Sequence, residues 1–228
     1  MPFDLSGGWS DVGTILGAVS AIGTAAVGLV DSTKVYRGGI SNAGFAFIRQ
    51  AVTPYTAALA LVNAAEPLAT LRANWLNGVS KDDQKAKVKA LIHLGLTGST
   101  AASLAAAAPG VDATTLESLA AKLDTGQALA ESEITALGRF DAIVDAQLDQ
   151  GFERADQLYR NAAKVLAAVF AIALALLGVW AIEGSAVDAR DFALAAVVGA
   201  ISIPLSPVVK DLSSALGSAV TALKAFKG

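Results

Sequence analysis

The chain of 228 residues is 54% hydrophobic and only 16% charged, whereas a typical soluble domain is about a quarter charged. Its net charge of −3 argues against a nucleic-acid partner, because such proteins normally carry a basic face. With no cysteine and one histidine, His93, the chain has too few side chains for a zinc site or a nucleophile–base pair. We therefore expect no cofactor, no metal site and no enzymatic activity.

The charged residues are unevenly distributed along the chain. Residues 31–160 contain twelve of the seventeen basic and fourteen of the twenty acidic residues. Both ends are therefore nearly uncharged and strongly apolar. This distribution predicts a helical membrane protein with a more polar middle region.

The first segment, residues 1–31, is predicted to be an N-terminal transmembrane helix. Val12 to Val30 contains no charged residue and is close to the length of about 20 residues that spans a bilayer. Trp9 lies where an interfacial aromatic residue is expected. Because Asp4 and Asp11 precede the apolar stretch and no basic residue does, we expect the segment to be retained rather than cleaved as a secretory signal.

Small residues recur every four positions within this helix, at Gly13, Gly17, Ala21 and Ala25. On a helix they form one smooth stripe that allows close approach of another helix, as in many membrane helix pairs. The stripe predicts a helix-packing surface. The alternative is a flexible alanine- and glycine-rich segment of a soluble helix.

The middle region, residues 32–129, is predicted to be helical and cytoplasmic or interfacial. Its first apolar stretch contains Arg49, which favours an interfacial or re-entrant helix over a full span. Ala90 to Val111 is uncharged but diluted by small and polar residues. It is either a fourth span or a soluble helix ended by the Pro109–Gly110 turn, so the number of spans stays between two and four.

A basic row and an acidic row lie outside the apolar stretches. Lysines in the basic row suit contact with anionic lipid head groups, although a solvated turn is an equal alternative. The acidic row would form stacked carboxylate rings in a symmetric oligomer, a vestibule that concentrates cations; the alternative is a solvated helix face. The basic row consists of Lys81, Lys85 and Lys89, and the acidic row of Asp141, Asp145, Asp149 and Glu153.

Residues 130–164 are predicted to form a coiled-coil-like stalk helix. Apolar residues there alternate at spacings of three and four, except that Asp141 and Gly151 occupy two positions of the pattern. The chain contains no proline from residue 110 to residue 203. The stalk therefore continues into the second span as one helix from about Ala130 to Ile182. A helix of that length needs a partner, either another segment of the chain or a second copy of it. The seam consists of Ile134, Leu137, Val144, Leu148, Ala155, Leu158, Ala162 and Val165.

Residues 165–209 are predicted to form a transmembrane hairpin. Val165 to Ile182 and Phe192 to Val209 are each uncharged for eighteen residues, and an acidic loop separates them. Pro204 and Pro207 remove backbone donors near the end of the second run, so they mark a candidate hinge or the membrane exit.

The last segment, residues 210–228, is predicted to be an amphipathic C-terminal helix. Basic residues flank the spans on the side of the middle region and the C-terminus, whereas the loop at residues 183–191 is acidic. The positive-inside rule therefore places the middle region and the C-terminus in the cytoplasm. Alanine richness suggests a bacterial inner membrane.

Together these patterns predict an all-α integral membrane protein with about three transmembrane helices, an N-terminal span plus a C-terminal hairpin. A long stalk helix would be continuous with the second span. One functional hypothesis is a homo-oligomeric assembly that acts as a pore, channel or membrane-permeabilising protein. The alternative is a non-conducting scaffold or adaptor that presents a helical surface to a protein partner. The expected partners are a second copy of the chain, membrane lipids and, under the alternative, another protein.

Overall fold

A computed structural model describes residues 8–205 and residue 207, with side-chain exposure from residue 14 onward. Helices make up 83% of the structure, and no strand occurs in the described ranges. The predicted all-α class is therefore confirmed.

Nine α-helices follow one another in the described part of the chain, and short 3-10 helices extend or join several of them. The α-helices are α1 Gly8–Ser32, α2 Phe45–Val52, α3 Thr56–Val62, α4 Ala69–Leu76, α5 Lys81–Leu94, α6 Ala101–Ala107, α7 Ala113–Thr125, α8 Glu131–Glu183 and α9 at residues 189–205. The 3-10 helices are Thr33–Val35, Gly39–Asn42, Thr53–Tyr55 and Gly184–Ala186.

The predicted long helix is confirmed by α8, which runs unbroken for 53 residues. Glu131 and Glu133 lie in its first turn, where acidic side chains interact favourably with the helix dipole. The helix ends at Glu183, and Gly184 follows with a φ of 60°, a conformation that glycine adopts without strain. The stalk and the second predicted span are thus one continuous element.

Three helical stretches are long and apolar enough to cross a membrane: Thr14–Val35, Gly39–Val62 and Glu131–Ala186. The first overlaps the predicted N-terminal span from Thr14 onward, and the third contains the first arm of the predicted hairpin. α9 contains the described part of the other arm, whereas residues 206, 208 and 209 lie outside the described residues. The predicted amphipathic helix at residues 210–228 also lies outside them.

The stretch Gly39–Val62 consists of short pieces rather than one long helix. α2 is followed by a 3-10 helix that contains Pro54, and α3 comes after it. Ile48, Val52 and Leu59 from this stretch are almost completely buried in a hydrophobic core. Their burial within the chain is the packing expected of a globular helical domain.

The chain divides into two compact units. The central unit is Ser41–Arg160, and the terminal unit consists of Met1–Ile40 and Asn161–Gly228. The division falls within α8, inside the predicted stalk at residues 130–164. Each unit has its own packing pattern.

The central unit has a continuous core to which α8 contributes one face. The side chains on this face recur at helical spacing and are at most 1% exposed, and they pack with residues from α2, α3, α5, α6 and α7. Another part of the same chain thus covers Val144, Leu148 and Ala155 of the predicted seam, whereas Ile134 and Leu158 are exposed. A coiled coil with a second copy stays a prediction. The buried face consists of Phe140, Val144, Leu148, Phe152 and Ala155.

α2 crosses α8 at very short distance because glycines lie at the crossing. Gly44 has a φ of 94°, and a Cβ added to it would lie 2.3 Å from the carbonyl oxygen of Ala155. A Cβ on Gly151 would lie 2.4 Å from the Cβ of Ala51. Neither position can accept a side chain without moving the helices apart.

The alternative of a fourth span at Ala90 to Val111 does not fit the structure. α5 ends at Leu94 and α6 begins at Ala101, so the helix is broken inside this stretch. The hydroxyl of Thr100 donates to the carbonyl oxygen of Gly95 at 2.6 Å and stabilises the break. Neither fragment has the length that a bilayer requires.

Candidate functional site

The acidic and basic rows face each other across α5 and α8. Each row has a spacing of four residues, so successive members lie about 6 Å apart along their helices. The helices run in opposite directions at this contact, so the first member of one row meets the last member of the other. We call the resulting four pairs the charge ladder. They are Lys81–Glu153, Lys85–Asp149 at 2.6 Å, Lys89–Asp145 at 2.8 Å and His93–Asp141 at 2.6 Å.

Two of the lysines make additional contacts, one of which joins neighbouring pairs of the ladder. The ammonium of Lys85 also lies 3.1 Å from Asp82, and that of Lys89 lies 3.8 Å from Asp141. Hydrogen bonds to Asp149 and Asp145 raise the pKa values of Lys85 and Lys89, respectively, above the ordinary lysine value. Both lysines therefore stay cationic at neutral pH.

The ladder changes the context of two sequence-based predictions. Lysines at positions 81, 85 and 89 were candidates for contact with lipid head groups, with a solvated turn as the equal alternative. Carboxylates at positions 141, 145, 149 and 153 were candidates for a cation vestibule, with a solvated helix face as the alternative. Every carboxylate of the row has a partner on α5 within the same chain. Both roles stay predictions, and each now competes with pairing inside the central unit.

A second ionic cluster connects α7 to the start of α8. Glu133 accepts hydrogen bonds from the ammonium of Lys122 at 2.8 Å, the hydroxyl of Ser118 at 2.8 Å and the backbone N–H of Ala130 at 2.7 Å. The Lys122 bond, followed by the other two, lowers the pKa of Glu133 to about 2. The spacing of Glu133 from Ala130 is that of a helix-capping carboxylate, a signal that was present in the sequence.

The terminal unit buries small residues and exposes large apolar ones. On α8 the buried positions are Ala167, Ala171 and Ala175, whereas Val169 and Leu177 are more than half exposed. This pattern is the reverse of a water-soluble core and is typical of helices that pack in lipid. It supports membrane association.

α9 packs closely against the alanine face of α8. A Cβ on Gly199 would lie 2.6 Å from the Cα of Ile172 and 2.8 Å from the carbonyl oxygen of Ala171. Ala195, one turn earlier on α9, is also buried. The two arms of the predicted hairpin therefore contact each other through small residues.

The predicted packing stripe on α1 lies on an exposed face of the chain. Gly17, Ala21 and Ala25 are exposed, and a Cβ on Gly17 would meet nothing within 4 Å. Gly13 belongs to α1 but precedes the residues whose exposure is described. The side of α1 that is buried instead contains Val19, Gly23, Ala26 and Val30.

The proline pair lies at the end of α9. Pro204 is within the helix, and Pro207 comes after residue 206, which is outside the described residues. Ser202 is fully buried, and its hydroxyl donates to the carbonyl oxygen of Gly199 at 2.8 Å. A hinge at these prolines stays a prediction.

No group of three or more histidine, cysteine, aspartate or glutamate side chains is placed to hold a metal ion in the part of the chain that the structure describes. Comparison with protein families, with curated proteins and with solved structures found no match for this chain.

Proposed function

We propose that the protein is a non-conducting membrane anchor that presents the central unit to a protein partner. The observation that supports this function best is the charge ladder. A cation pathway lined by the carboxylate row would need carboxylates whose negative charge is not already paired within the chain. In the ladder each carboxylate of the row instead contacts a lysine of the same chain, and Asp141 also contacts His93.

The apolar segments support the same proposal. Val165 to Ile182 contains no charged residue, and neither does α9 beyond Asp191 within its described residues. Transport sites in membranes usually need an ionisable or strongly polar group. These segments are therefore better suited to holding the protein in lipid than to moving a charged solute.

Reconstitution and flux measurements test the proposal. The full chain in phosphatidylcholine vesicles should resist carbonate extraction and should give no more K⁺ or H⁺ flux than vesicles without protein. Carbonate extraction of the protein would contradict the anchor. Protein-dependent flux that scales with protein content would contradict the non-conducting state.

We also propose that the central unit lies in the cytoplasm of a bacterium, on the basis of the basic residues that flank the apolar segments. Because the chain has no cysteine, single-cysteine variants can report its topology without background. Ser185→Cys should react with a membrane-impermeant maleimide from outside intact cells. Ser132→Cys should react only after lysis, and the opposite pattern would invert the proposed orientation.

A homo-oligomeric pore is a second candidate, and the exposed stripe on α1 favours it. Gly17, Ala21 and Ala25 leave an open, smooth surface on which a second copy could pack. Native mass spectrometry of the detergent-extracted protein tests this assembly. A single closed oligomer that also supports flux would favour the pore, and a monomer would exclude it.

A further inference from the structure

A groove in the central unit lies between α2 and α8 and has a volume of about 390 Å³. Its lining includes Gly151, where the two helices approach closely. Its volume lies at the lower end of the range of about 300–1,000 Å³ that is typical of ligand pockets. We call it the α2–α8 groove. The residues that matter for binding are Phe47, Gln50, Pro54, Gln150 and Arg154.

The groove contains a cation without an acidic partner. The guanidinium of Arg154 lies 4.4 Å from the ring centroid of Phe47. The neighbouring carboxylates are used elsewhere, since Glu153 pairs with Lys81 and Asp156 pairs with Arg160. Among the described residues, no carboxylate forms an ion pair with Arg154.

The amides at the groove have different roles. Gln147 accepts from the hydroxyl of Tyr55 at 2.9 Å and donates to the carbonyl oxygen of Ala107 at 3.0 Å, so it holds the core together. Gln50 and Gln150 are exposed, and their side chains have no hydrogen-bond partner within the described part of the chain. They offer donors and acceptors to a molecule in the groove.

We propose that the α2–α8 groove binds a short peptide segment of a partner protein through an aspartate or glutamate side chain. Arg154 would take the carboxylate, because its planar guanidinium matches carboxylate geometry with two parallel hydrogen bonds. Phe47 and Pro54 would contact the apolar part of the peptide. Because Gln50 and Gln150 both donate and accept, they match the N–H and C=O groups of a peptide backbone, whereas a lipid phosphodiester offers only acceptors.

This inference rests on the proposed function, since it identifies the partner surface of the anchored unit. The test uses the full chain in phosphatidylcholine nanodiscs with ¹⁵N-labelled glutamine. The chain has only six glutamines, at positions 50, 84, 127, 147, 150 and 157. In one spectrum, the side-chain amide signals of Gln50, Gln147 and Gln150 therefore report on the groove, and the other three report on the rest of the central unit.

The probes are acetyl-Leu-Glu-Leu-amide and its neutral counterpart acetyl-Leu-Gln-Leu-amide. The acidic peptide should shift the signals of Gln50 and Gln150 in a saturable way and leave those of Gln127 and Gln157 unchanged. Binding should weaken at least about tenfold with the neutral peptide or in Arg154→Gln, the loss expected for a charge-assisted pair. Arg49→Gln, on the same helix as Gln50 but outside the groove, is the matched control and should bind as wild type does.

Several results would overturn the inference: no shift, equal shifts with both peptides, or unchanged binding in Arg154→Gln. If inorganic phosphate or nanodiscs with anionic lipid produce the same Arg154-dependent shifts, the groove binds phosphate groups instead of a peptide carboxylate. If Arg154→Gln alters the helical circular dichroism spectrum, Gln150→Ala is used as the test variant instead. It should weaken binding of the acidic peptide. The outcome of this test does not depend on the flux or extraction measurements. The peptide-binding proposal and the anchor proposal can therefore be rejected independently.

Discussion

The two units of this chain are both helical, but they differ in the size of the side chains that they bury. The central unit buries large side chains such as Tyr55, Phe140 and Phe152 and has charged residues on its surface. The terminal unit buries mainly alanines, together with Val19 and Val30, and exposes larger side chains such as Leu177 and Trp180. In water, apolar burial stabilises a core, whereas in lipid close backbone contact between small residues stabilises helix pairs. The difference in the size of the buried side chains is thus consistent with association of the terminal unit with a membrane.

Among the substitutions that test this difference between the units, the largest loss of stability is expected in the core of the central unit. Phe140 is fully buried and packs edge-to-face with Tyr55 at a centroid distance of 6.4 Å. Phe140→Ala should lower the free energy of unfolding by about 3–5 kcal/mol in a denaturant titration of the detergent-solubilised chain. Leu177→Ala, at a position that is 60% exposed in the terminal unit, should change it by no more than about 0.5 kcal/mol. Equal losses would contradict the assignment of Leu177 to a lipid-facing surface.

The next largest change in stability is expected from substitutions of small residues in the terminal unit. Gly199→Ala adds a Cβ where the backbone of α8 is 2.6 Å away, so it should destabilise the chain by about 1–3 kcal/mol. Gly178→Ala adds one where nothing lies within 4 Å, and alanine favours the helix by up to about 1 kcal/mol over glycine. The two variants should therefore shift the thermal unfolding midpoint in opposite directions. A stabilising Gly199→Ala would disprove the close contact of α8 and α9.

Acid should weaken the central unit through Glu133. Its folded-state pKa of about 2 lies below the ordinary value of 4.5, so its stabilisation is complete above about pH 4.5. That contribution is lost as the pH falls toward 2. Thermal unfolding measured across this range should show a smaller pH dependence in Glu133→Gln than in wild type. Identical pH profiles would mean that the bonds to Lys122, Ser118 and Ala130 do not stabilise the fold.

The smallest effect is expected from a single rung of the charge ladder. Asp149 is 56% exposed, so a double-mutant cycle of Lys85→Gln and Asp149→Asn should give a coupling of only about 0.2–1 kcal/mol. The coupling should shrink in 1 M NaCl. Because the pKa of Lys85 is raised, the rung should stabilise the fold below pH 10.5 and lose its effect as the pH rises through the raised value. A coupling that is unchanged by salt and alkali would mean that the contact is not electrostatic.

The sequence predicted the features that depend on local pattern. The limits of α8 were expected at about Ala130 and Ile182 and lie at Glu131 and Glu183, because an apolar pattern without proline specifies a helix. The Gly17 stripe shows what local pattern does not specify, which is the face of α1 that is buried within the chain. α1 also has small residues at Gly23 and Ala26, and the choice of the buried face depends on the rest of the terminal unit.

The charge ladder could not be predicted from either row alone. Lys85 and Asp149 are 64 residues apart in the sequence, so their pairing depends on how the intervening helices fold back. The matching four-residue spacing of the two rows was a usable signal, but it does not specify whether the rows meet in one chain, in two copies or in neither. The α2–α8 groove is harder still, since it depends on the crossing at Gly151 rather than on a motif.

Tryptophan quenching by brominated phosphatidylcholine tests the difference between the two units most directly. Trp180 is 60% exposed in the terminal unit, whereas Trp75 packs edge-to-face on Tyr159 and donates to the carbonyl oxygen of Ser41 in the central unit. Variants that keep only one of these, Trp9→Phe with either Trp75→Phe or Trp180→Phe, isolate each signal in reconstituted vesicles. The fluorescence of Trp180 should be strongly quenched and that of Trp75 nearly unaffected. Equal quenching, or quenching of Trp75 alone, would contradict a lipid-embedded terminal unit joined to a water-exposed central unit.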